Sequence, residues 1–146
     1  MTLETSTAPS KVKFIPYAGA IQPRTRRLAP VLTRDERLAR CPAVVYFDDE
    51  PSVVSIIAIV AAFYGLLSAD IRRQCRRRPI ARPRHVAMYL AMAHTSFGRP
   101  TLGNLFRRDR QTISHGFENI ERLLGEDSEL AADVAALRGH ILRGAA

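Results

Sequence analysis

From Thr101 to Leu124 the chain reads TLGNLFRRDRQTISHGFENIERLL, and this stretch constrains the fold more than any other. Thr101 to Phe106 is a short amphipathic piece, and Arg107-Arg108-Asp109 a tight basic turn. A longer helix is expected from about Arg110, because Ile113, Phe117, Ile120 and Leu124 fall at i, i+4, i+7 and i+11 on one face. Asp109 suits its N-cap and Gly125 its end. Short helix, three-residue turn and longer helix together outline a helix-turn-helix, whose second helix enters a DNA major groove by its N-terminal end. The side chains at that end are Arg110, Gln111, Thr112, Ser114 and His115, all able to hydrogen-bond to bases or phosphates.

The charge distribution points the same way. The chain of 146 residues carries a formal charge of +8, and 20 of its 22 basic residues are arginine. Between Asp70 and His115 there are eleven arginines and two aspartates, a net of +9; the segment before carries +2 and the segment after −3. A polyanionic partner is implied, and arginine forks onto phosphate and guanine better than lysine does.

Other classes find little support. Cys41 and Cys75 stand in unlike contexts with no CxxC pattern, so neither a zinc finger nor a disulfide framework is expected, and a reducing cytosol is the default. Asp48-Asp49-Glu50 reads as a complement to a helix dipole rather than as a metal site. The longest apolar run, Val53 to Leu67, has fifteen residues, fewer than the roughly 20 that span a bilayer. No histidine has an acid or nucleophile at catalytic spacing, so no catalytic residue, cofactor or metal is assigned.

Taken in order, residues 1–50 read as a mostly disordered Pro/Arg tail, with two helical turns conceivable at Thr33 to Arg40 and an extended piece at Val44 to Phe47. Folded structure is expected from 51 to 146. A core helix follows Ser52, a plausible N-cap, and Ser68 caps a short second helix. Arg72 to Pro79 is a basic loop that would lie on phosphates or reach a minor groove. The next helix is introduced by Arg82-Pro83-Arg84, with Pro83 in its first turn and Val86, Ala87, Leu90, Ala91 and His94 on its buried stripe. Gly116, inside the long helix at a cost of about 1 kcal/mol against alanine, implies close packing or close approach to a partner. A last helix from about Ser128 to Leu142 buries Leu130, Val134, Leu137 and Ile141. The fold class is therefore all-α: a small helical bundle containing a helix-turn-helix.

From about Ser52 to Leu124 the residues resemble a known family, the C-terminal DNA-binding domain of the bacterial replication initiator DnaA. The resemblance is carried by Ala61-Ala62-Phe63-Tyr64, Ala69-Asp70-Ile71, Ala81-Arg82-Pro83-Arg84 and the run Val86 to Ala91. Thr95, Pro100-x-Leu102-Gly103-x-x-Phe106, Arg108-Asp109-x-x-Thr112-Ile113-x-His115 and Ile120-Glu121 complete it. It implies minor-groove contact from Arg76 in the basic loop, where Arg77 and Arg78 are equivalent by composition. It implies phosphate contact from Arg84, His85, Thr95 and His115, joined by Arg82 and Arg108, and base reading by Asp109, Arg110, Gln111 and Thr112. The turn is one residue shorter than the Gly-Gly-Arg-Asp-His-Thr-Thr usual in that family. Arg110-Gln111 replaces His-Thr, and Met92 stands where a lysine is usual. Arginine favours guanine and glutamine adenine, so the preferred site should differ from the family's usual one.

A complete initiator of this family carries an ATPase domain with a Gly-x-x-x-x-Gly-Lys-Ser/Thr loop, and no such sequence occurs here. The expectation is a monomeric, non-enzymatic, cytoplasmic and nucleoid-associated protein. It would bind double-stranded DNA at origin-like or promoter sites and regulate replication initiation or transcription without hydrolysing ATP. Two alternatives stay open: an interaction protein that binds the replication initiator or its regulators, and a peripheral contact with acidic phospholipid.

Overall fold

The computed structural model describes residues 32–75 and 78–144, with the backbone alone at Arg78. The expected leader up to residue 31 and the candidates Arg76 and Arg77 lie outside the described residues. Seven helices and one two-stranded hairpin occur among those described: α1 (Arg34–Ala39), β1 (Tyr46–Phe47), β2 (Glu50–Pro51), α2 (Val53–Phe63), α3 (Ser68–Arg72), α4 (Arg78–His94), α5 (Arg99–Phe106), α6 (Arg110–Leu124) and α7 (Ser128–Arg143). The fold is a small all-α bundle containing a helix-turn-helix.

The core forms around α2. Its β-branched residues are poor helix formers, so burial rather than propensity holds it helical. Ile56, Ile57, Ile59 and Val60 are fully buried, with Phe63 beside them. Gly65, at φ +71°, ends the helix: its N–H reaches the Ala62 carbonyl at 3.2 Å, and the Leu66 N–H reaches Ala61 at 2.7 Å. Val86, Ala87, Met88, Leu90 and Ala91 of α4 cover α2 on one side, and Leu130, Val134, Leu137 and Ile141 of α7 close the core. Helix α4 also packs along α6. A Cβ on Gly116 would lie 2.8 Å from Met88 Sδ, so the glycine lets these two helices approach closely, as its place in the sequence implied.

Three expectations need correction. Residues 33–50 are not all tail, because Thr33–Ala146 forms one compact unit and the boundary expected at 51 falls inside it. Thr33 and Glu36 form a reciprocal capping box for α1, and Leu38, Cys41 and Val44 pack against the core. Asp133 of α7, buried, accepts from Arg34 at 2.8 Å and Arg37 at 3.3 Å. The hairpin turns through Asp48 and Asp49, both left-handed at φ 51° and 69°, which aspartate tolerates better than most residues.

Second, Ser52 is the N-cap of α2 as expected, though without a side-chain cap bond, whereas the N-cap position of α3 is Leu67 rather than Ser68. Glu50 lies ahead of the first turn of α2. It accepts from the Ser96 N–H and Oγ at 3.0 Å each and so anchors the loop ahead of α5. Third, α4 begins at Arg78, one turn before the expected start, and Pro83 lies buried in its second turn. Pro79 supplies the early proline that costs little, and Pro83 forgoes one backbone bond near the helix end in exchange for burial.

Candidate nucleic-acid interface

Helices α5 and α6 meet through a turn built on two unusual residues. Arg107 is left-handed at φ 57°, ψ 44°, and the Arg108 N–H folds back onto the Gly103 carbonyl at 2.7 Å. A Cβ on Gly103 would stand 2.5 Å from the Arg108 carbonyl oxygen, so only glycine fits beneath the turn. Leu102, Phe106 and Ile113 are fully buried and fix the two helices against α4. Asp109 caps α6 by accepting from the Thr112 N–H at 2.7 Å, and that bond holds its carboxyl below the usual aspartate range.

The expected base-reading residues stand together at this N-terminus. Asp109, Arg110 and Gln111 are exposed and Thr112 is half-buried. Arg110, Gln111 and Ser114 share a shallow cleft with Arg99 and Pro100 of α5. On the other side of the turn, a polar cavity of about 410 Å³ is lined by Gln74, Gly103, Asn104, Arg107, Arg108, Asp109 and Thr112. The exposed side chains Arg99, Asn104 and Arg107 were absent from the expected set. Their spacing relative to the turn was the available signal, and it required knowing which face of α5 is buried.

The phosphate set divides. Arg84 is corrected: it is 4% exposed, and its guanidinium donates to the carbonyls of Ile71 at 2.7 Å, Cys75 at 2.7 Å and Arg73 at 2.8 Å. It holds the basic loop from inside. Arg82 reaches Asp127, the N-cap of α7, at 3.1 Å. His85 is half-buried between α4 and α6, where its Nδ1 accepts from the Asn119 amide at 3.3 Å. Burial above all, then the His115 ring with its centroid 6.1 Å away, and then Arg84 and Arg108, hold the imidazole below its usual range. Arg108 donates to Gln74 at 2.7 Å and to the Arg73 carbonyl at 2.6 Å. Thr95, half-buried, uses its hydroxyl proton on the Ala91 carbonyl at 2.6 Å, and His115 is exposed. Of Arg78 only the position is described: it is the first residue of α4.

Residues 53–120 match the family of the bacterial DnaA protein helix-turn-helix. They form a DnaA-type helix-turn-helix domain. The chain is 40% identical over 89 residues to the chromosomal replication initiator protein DnaA of Deinococcus radiodurans, covering 61% of this chain and 19% of that protein. With the same protein of Cereibacter sphaeroides it shares 42% over 92 residues, covering 62% and 20%. With that of Sphingopyxis alaskensis it shares 44% over 80 residues, covering 54% and 18%. The chain thus spans about a fifth of the length of these curated relatives. Among the described residues, no group of three histidine, cysteine or acidic side chains could hold a metal ion, and no helix is long and apolar enough to cross a membrane.

Proposed function

We propose that the DnaA-type domain binds double-stranded DNA and distinguishes sequences through Arg110, Gln111 and Thr112 in the major groove. The observation that carries the reading is the presentation of these side chains. They stand at the first turn of a 15-residue helix whose start is fixed by the Asp109 cap, the Gly103 contact and a buried Ile113. Arg99, Arg107 and His115 flank them and suit phosphates on either side, and the segment Arg76 to Arg78 suits the adjacent minor groove. Arg84 is left out of the contact set because its donors are engaged inside the protein, and Arg82 because it is paired with Asp127 at the surface.

The relatives are named chromosomal replication initiators, so the process proposed is initiation of chromosome replication or transcription at sites of that kind. The chain would act where the nucleoid lies. ATP hydrolysis forms no part of the proposal.

Selection of duplexes from a random pool, followed by binding to every single-base variant of the winner, tests it. Arg110→Ala is expected to cost about 1–3 kcal/mol of affinity and to relax preference at one base pair. Equal losses on all variants would refute base reading by Arg110.

A further inference from the structure

We propose that Gln74 is a positioning residue, fastening the loop that precedes α4 to the turn that precedes α6 so that both meet DNA as one rigid unit. This rests on the DNA-facing reading of that turn. Both ends of the Gln74 amide are used. Its Nε2 donates to the Arg107 carbonyl at 3.0 Å, and its Oε1 accepts from Arg108 Nη1 at 2.7 Å. Glutamate would supply no donor here and lysine no acceptor.

The loop is held from the opposite side as well. The Arg73 carbonyl receives Arg108 Nη2 at 2.6 Å, Arg84 Nη2 at 2.8 Å and the Cys75 N–H at 2.8 Å. Arg84 thus ties the loop to α4, while Gln74 and Arg108 tie it to the turn. Gln74 is exposed and adds nothing to the core, so its two bonds fix location rather than hold the fold together. Residues 73–75, already held in the free protein, have less conformational freedom to lose on binding.

Gln74→Ala in the full chain tests this with three readouts. In the free protein, amide hydrogen exchange at residues 73–75 is expected to rise about tenfold or more, with the exchange of α4 and α6 and the melting temperature unchanged. On a duplex recovered by selection, affinity is expected to fall about tenfold. Footprinting should show protection lost in the groove beside the loop and kept in the groove entered by α6. Gln74→Glu, which keeps the acceptor for Arg108 alone, should fall between. Unchanged exchange at 73–75 overturns the proposal, and so does a footprint that weakens in both grooves in equal proportion. Failure of the wild-type chain to select any duplex would sink the DNA reading and the binding consequence with it, whereas the exchange measurement decides the fastening by itself.

Discussion

Arg107 carries a left-handed backbone that a glycine would adopt without a Cβ penalty. For an L-residue that conformation costs roughly 1–2 kcal/mol, partly offset by glycine's greater freedom in the unfolded chain. Arg107→Gly is therefore expected to raise stability by about 1 kcal/mol in urea unfolding while weakening DNA binding through loss of a cation at the turn. Stability and binding moving in opposite directions would mark Arg107 as kept for its side chain; a fall in both would show that the turn is not strained. Arg84 teaches the complementary lesson. In sequence it is one more arginine of a basic run, yet it is buried against three carbonyls, while Arg110 is free. Which way an arginine points is decided by the backbone that happens to lie within its reach, and no spacing rule encodes that.

At the scale of elements, the α5–α6 turn depends on Gly103. Gly103→Ala would drive a methyl into the Arg108 carbonyl, and backbone cannot rotate away as a side chain can. A loss of about 1–3 kcal/mol is expected, as for overpacking, together with weaker DNA binding because the start of α6 shifts. A variant as stable as the parent by thermal melting would refute the contact. This region was legible from sequence. The spacing of Ile113, Phe117 and Ile120, the Asp109 cap and Gly125 placed α6 at Arg110–Leu124, and the four apolar residues of α7 are all buried. The start of α4 was not legible, because three consecutive arginines carry no periodicity and two prolines, at 79 and 83, compete for the first turn. Nor was the attachment of α1. Leu38, Cys41 and Val44 are three apolar residues in a polar stretch, and their burial depends on a core and on Asp133, which lies about ninety residues later. Among the expected contacts, the cluster Asp109 to Thr112 came from helix-start chemistry, which is local. The inward turns of Arg84 and His85 and the surface pairing of Arg82 with Asp127 came from tertiary packing, which is not.

For the molecule as a whole, proton linkage at His85 sets an acid limit. Its folded pKa lies below the ordinary value, so below about pH 6.5 the unfolded chain binds a proton that the folded chain refuses. Stability is fully present above that pH and falls as pH drops through it towards the folded pKa. His94, lowered by burial and Arg138, acts in the same direction. Denaturation midpoints between pH 7.5 and 5.5, the interval that brackets the ordinary imidazole value of about 6.5, should therefore decline. His85→Gln should flatten the decline in part, leaving the share of His94; an unchanged slope would show that His85 does not contribute. A different consequence follows from the three arginines whose guanidinium groups already have partners within the protein, Arg84 buried, Arg108 half-buried and Arg82 at the surface on Asp127. Under the proposed reading, Arg82, Arg84 and Arg108 would add to the long-range field without neutralising a phosphate at contact, and so would release no condensed cations from a duplex. If the other eight of the eleven arginines between Asp70 and His115 take up that task, the logarithm of the association constant should fall with that of salt at a slope of about −7, against about −10 for all eleven. The binding would then tolerate physiological ionic strength better than so cationic a sequence suggests.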